Sequence, residues 1–84
     1  TIKNFEEISR KNYIVINYHY GNLRRADGSI YQYINGGHSM VVTGITEDGR
    51  FIVSSWGEKL YIDPNEKVRD GLHVTSFNFI TYRY

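Results

Sequence analysis

The chain has no cysteine, one proline, one methionine and one tryptophan among its 84 residues. Without cysteine there are no disulfides, no zinc knuckles, no iron–sulfur ligation and no thiol catalysis by residues of this chain. An excess of charge of one sign is also lacking. Ten Lys and Arg stand against nine Asp and Glu, a formal net charge of +1, and the basic residues are scattered. That balance creates no field of the kind needed to hold nucleic acid or an anionic membrane, and neither is expected as a partner. No apolar run approaches the roughly 20 residues of a membrane span, and the segment from Thr1 to Arg10 lacks the basic-then-apolar pattern of a secretory leader.

Aromatic and β-branched residues are abundant. There are eight Tyr, four Phe and one Trp, and Ile, Val and Thr together contribute 21 residues. Such side chains pack well on a pleated surface and favour strands. A chain of this length buries only about 60–65% of its unfolded surface, so one modest core and one domain over 1–84 are expected.

Read along the chain, Ile2, Phe5 and Ile8 have helical spacing. Asn4 and Glu7 fit a capping box, in which two side chains satisfy backbone donors at the helix start. A short helix is predicted over 4–11. Residues 13–20 read as a strand, nearly apolar at first and therefore central. The stretch 21–37 is polar and glycine-rich with a turn at Ala26-Asp27-Gly28-Ser29, and its length suggests a functional loop. Strands are predicted over 38–45, 50–56 and 59–63, the first two joined by a hairpin turn at Asp48-Gly49. The last segment, 73–84, alternates, with Phe77 and Phe79 on one face and Ile80 and Tyr82 on the other, and is expected to close the sheet. The predicted fold class is α+β, a curved antiparallel sheet carrying one short N-terminal helix.

Among residues able to carry chemistry, His38 comes first. It follows Gly36-Gly37 and opens an apolar strand, where an imidazole, with its ordinary pKa of about 6.5, suits proton transfer. Position alone favours the plainer reading of a satisfied structural histidine at a strand edge. A regular hairpin about Asp48-Gly49 leaves His38 beyond the end of the 50–56 strand, so slippage or a bulge is needed to bring Ser54 alongside it. His19, His38 and His73 lack metal-ligand spacing. No phosphate-binding glycine loop or calcium-loop pattern is present, and no cofactor or metal is expected. Tyr31 and Tyr33, flanking Gln32, either line a cleft or anchor the long loop.

Gly37-His38-Ser39-Met40-Val41-Val42-Thr43-Gly44, followed by Phe51-Ile52-Val53-Ser54-Ser55-Trp56-Gly57 and Tyr61-Ile62-Asp63-Pro64, resembles the second half of a papain-like cysteine peptidase, closest to the C39-like family. The resemblance extends from about Phe5 to Pro64. It implies the β-lobe of that fold, with His38 as the base that deprotonates a cysteine. Ser54 falls where the family has an Asn or Asp that orients the imidazole, and a hydroxyl there accepts the same hydrogen bond without supplying charge. Trp56 either shields that contact from water or is a plain core residue. Tyr31, Tyr33, Gly37 and Trp56 are the candidate substrate-binding residues.

The family's cysteine and oxyanion-hole glutamine belong to the other half of the fold. The implied partners are therefore a Cys-bearing N-terminal lobe or chain and a peptide substrate. The implied whole is a cysteine peptidase of which this chain is the C-terminal, histidine-bearing lobe, inactive by itself. Localisation outside the cell or at a bacterial cell surface follows from the resemblance alone. The alternatives are a catalytically inactive peptidase-like domain that binds peptides, and a structural β-domain in which His38 is incidental.

Overall fold

A computed structural model of the chain describes residues 4–68 and 73–84. Ile2, part of the predicted helical spacing, lies outside them. The elements are α1 (Phe5–Lys11), β1 (Asn12–Arg24), β2 (Ile30–Ile45), β3 (Phe51–Ser55), β4 (Glu58–Ile62) and β5 (Ser76–Arg83). All strand pairings are antiparallel, so the α+β class and the mostly antiparallel sheet are as expected.

The helix forms without the predicted capping box. Asn4 takes a left-handed backbone (φ 58°) and its side chain makes no cap hydrogen bond, because side-chain capping needs the extended conformation at that position. At the other end Asn12 closes the helix, its side-chain Nδ2 donating to the Ile8 carbonyl at 3.1 Å. Phe5 and Ile8 pack against the core of the sheet.

β1 is the central strand, as its apolar start implies. Ile14 lies opposite both Val42 of β2 and Thr81 of β5, and Ile16 opposite both Met40 and Phe79. The sheet order is β2-β3-β4-β1-β5 with β2 also paired to β1. β1 thus runs alongside β2 and meets β4 at Arg24 opposite Tyr61. The sheet curls on itself through β1. β5 lies at its edge rather than closing it, because its only strand partner among the described residues is β1. Its faces divide as predicted: Phe77 and Phe79 turn inward onto Phe51 with edge-on ring contacts, while Ile80 and Tyr82 stay exposed.

The predicted long loop is not a loop. β1 continues to Arg24 and β2 begins at Ile30, so 21–37 is mostly the outer half of a long hairpin whose tip is the Ala26–Ser29 turn. There Asp27 Oδ1 accepts from the backbone N–H and hydroxyl of Ser29. The glycines that read as loop are corner residues. Tyr18 pairs with His38 and Tyr20 with Asn35, so His19 alone faces Gly36 and Gly37, both at positive φ (112° and 96°). Bulges of this kind bend a strand pair sharply. Gly21 completes the corner. A Cβ there would run into the Tyr18 phenol and lie 2.9 Å from Thr75 Cγ2, and the phenol donates to the Asn22 carbonyl at 2.8 Å. Burial pushes the Tyr18 phenol far above its ordinary pKa, so it remains a neutral donor beneath the bend.

The core is a single cluster that includes Ile14, Ile16, Tyr18, Leu23, Phe51 and Ile62, all almost fully buried. A second tie holds the far end of the hairpin. Arg24 grips Glu66 bidentately, with Nε to Oε1 and Nη2 to Oε2 both 2.9 Å, and Asn22 donates to the same carboxylate. These bonds, Arg24 first, hold the Glu66 carboxyl below its ordinary range.

Candidate functional site

His38 lies on β2 directly after the glycine corner and shares the inward face with Met40 and Val42. Its Nε2 is 2.7 Å from the hydroxyl of Ser55, not of Ser54 as expected. Two local features explain the change. Val42 faces Val53 while Gly44 faces Ile52, so Thr43 is an extra residue that shifts the β2–β3 register by one. The slippage needed to bring the end of β3 toward His38 is therefore present. Strand alternation then selects the serine: Phe51 and Val53 point inward and are fully buried, and Ser55 follows them. Ser54 lies opposite Val41 and Lys59 on the outer face and is exposed. Extending the register by one pair sets Ser55 opposite Met40 and diagonal to His38, within side-chain reach.

Trp56 completes the group. Ser55 pairs with Glu58, leaving Trp56-Gly57 as a two-residue hairpin loop with φ of 52° and 71°. Positive φ at both positions defines a type I′ turn, which favours Asn-Gly, Asp-Gly or Gly-Gly. A bulky residue is a conformational outlier there. In this backbone the indole lies parallel to the His38 imidazole, ring centroids 4.5 Å apart and planes inclined by 4°. It also stacks with Tyr31 at 6.0 Å and 25°, and the Arg25 guanidinium sits 5.2 Å from the Tyr31 ring centre. Trp56 keeps 50% of its surface exposed, so it is not a core tryptophan.

The remaining candidates separate. Tyr31 falls at the bulge where Leu23 pairs with Gln32 but Arg24 with Ile30, and this turns it toward Trp56. Tyr33 pairs with Asn22 on the far side of the corner and lines an open cleft of about 270 Å³ with Tyr20, Asn35, Val68 and His73. Tyr31 and Tyr33 therefore do not line one wall. Gly37 is exposed in the corner, with nothing within 4 Å of where a Cβ would stand. Among the described residues no group of three His, Asp or Glu side chains is placed to hold a metal ion, and no helix is long and apolar enough to cross a membrane.

Chemically, the Ser55 hydroxyl on Nε2 leaves Nδ1 as the imidazole nitrogen without a protein hydrogen bond among the described residues. When Nε2–H donates to Ser55 Oγ, Nδ1 carries the lone pair and can take a proton. Sequence reasoning misses Ser55 and Arg25. The inward alternation of Phe51 and Val53 is the signal for Ser55. Gly44, a glycine within an apolar strand, is the signal for the bulge.

Compared with protein-family models, with curated proteins and with solved structures, the chain matches none.

Proposed function

We propose that the chain is the base-bearing β-lobe of a C39-like, papain-type cysteine peptidase, the C-terminal part of a larger protein outside the cell or at its surface. The carrying observation is the 2.7 Å contact between His38 Nε2 and Ser55 Oγ beside a parallel indole. In this reading a thiol on a segment or chain beyond these 84 residues loses its proton to His38 Nδ1. The thiolate attacks a peptide carbonyl, and the imidazolium returns the proton to the departing amine. Water then hydrolyses the thioester, with His38 again acting as base. Ser55 takes the orienting role that the resemblance implies for Ser54. Gly37 and Trp56, exposed beside His38, form the nearest part of the substrate wall.

The test uses the complete polypeptide carrying the cysteine. At neutral pH its thiol should alkylate much faster than free cysteine and should lose that advantage in His38→Ala. A thiol that reacts no faster than free cysteine sinks the enzyme reading.

One observation favours a second reading, an inactive peptide-binding domain. The hydroxyl beside His38 brings neither the carboxylate nor the carboxamide that usually steadies an imidazolium. Slow alkylation together with retained peptide binding selects it.

A further inference from the structure

The ring contacts do not stop at Trp56. They continue through Tyr31 to Arg25 at the tip of the β1–β2 hairpin, and we infer that Tyr31 is a positioning residue for His38, acting through the indole. Trp56 stands in a turn where its backbone is strained at positive φ, a cost that the surroundings must offset. Half its surface is open to solvent, so burial supplies only part of that offset and its ring contacts add to it. Its stacking contacts are His38 and Tyr31. Aromatic pairs at such separations are favourable beyond their area, so Tyr31 is the ring besides His38 that fixes the indole.

Tyr31 is itself held. It packs against the core cluster. Arg25 sits over its ring while donating from Nη1 to Ser29 Oγ at 3.2 Å and to the Ile30 carbonyl at 3.1 Å. Tyr31 is the extra residue of the β2 bulge opposite Leu23 and Arg24, and it stacks with Trp56 while Tyr33 lines the cleft. The extended hairpin and its tip thus set the orientation of an imidazole that lies seven residues along β2. The functional consequence rests on His38 being the base; the geometric claim does not.

NMR of the full chain tests it, because ring protons held above an indole are displaced upfield. His38 ring protons should be displaced in the unmodified protein. Tyr31→Leu keeps apolar bulk but no ring, and should cut the displacement to less than about half. Tyr31→Phe should retain it, since the ring and not the hydroxyl is used. Tyr31→Ala should match Tyr31→Leu; if it fails to fold, Tyr31→Leu decides. An unchanged displacement in Tyr31→Leu, or an equal loss in Tyr31→Phe, overturns the inference. Slow thiol alkylation in the complete polypeptide, with the displacement still lost in Tyr31→Leu, removes the peptidase reading and leaves the positioning role standing.

Discussion

The two hairpin turns that flank β3 are built on opposite principles. The β2–β3 turn is locally consistent. Gly49 supplies the positive φ of 90°, the Thr46 carbonyl accepts from the Gly49 N–H, the Thr46 hydroxyl bonds Asp48, and Arg50 bonds Asp48 in turn. Thr46, Asp48, Gly49 and Arg50 all serve the turn. The β3–β4 turn sets a tryptophan where an asparagine or glycine would fit without strain. Departures from local consistency concentrate at functional sites. Here the departure is the residue that stacks on His38 and directly follows Ser55. One turn is there to fold the hairpin, the other to carry a side chain.

The sharpest way to break this contrast is Trp56→Asn. It restores the preferred turn sequence, so stability should stay within about 1 kcal/mol of the parent, strain relief offsetting lost stacking. Under the proposed peptidase reading, thiol alkylation should nevertheless fall about 10-fold or more, as expected when a base loses its positioning. A large loss of stability with alkylation intact would make Trp56 a structural residue after all.

The serine pair gives the next largest effect. In the proposed enzyme Ser55→Ala should lower thiol reactivity several-fold, roughly the worth of one hydrogen bond on an imidazole, and Ser54→Ala should leave it unchanged. Equal effects would mean that the end of β3 does not hold the register that the bulge at Thr43 imposes.

Both turns can also be compared with the Glu66 clasp, which holds the far end of the hairpin without any part in the site. Glu66 has its carboxyl depressed below the ordinary 4.5, chiefly by Arg24. The stability it contributes is therefore complete above about pH 4.5 and is lost as pH falls through the depressed value. Denaturant melts should show Glu66→Gln less stable near pH 7 by about 1–2 kcal/mol, scaled down for a partly exposed pair. The gap should close in acid, and a constant gap across that range would contradict the assignment. The smallest effect belongs to the ordinary turn. Gly49→Ala should cost about 1 kcal/mol through its positive φ, with no change at His38.

Much of this is legible in the amino-acid sequence. Alternation and β-branching locate the strands from His38 onward, and Asp48-Gly49 locates a turn, because both signals are local. Residues 21–37 read as a loop for a physical reason. Gly21, Gly36 and Gly37 carry the same local signature whether they loosen a loop or bend a strand pair around Tyr18. The partner across the corner decides which, and that is a long-range fact. His38 and Trp56 stand out as candidates, but Tyr31 and Tyr33 look equivalent until one extra residue in β2 turns them apart. Ser54 in place of Ser55 is an error of one position. A bulge changes the register across the sheet, and a one-residue slip changes the face.

The claim that the Trp56 turn is kept for His38 has a direct measurement, since Trp56 is the only tryptophan. An imidazolium stacked on an indole interacts with its π-face and quenches its emission. Acidifying the folded protein should dim Trp56 fluorescence in a single step as His38 gains its proton, and His38→Ala should remove that step while His19→Ala and His73→Ala preserve it. Emission that ignores pH in the unmodified chain, or an identical step in His38→Ala, would contradict the account.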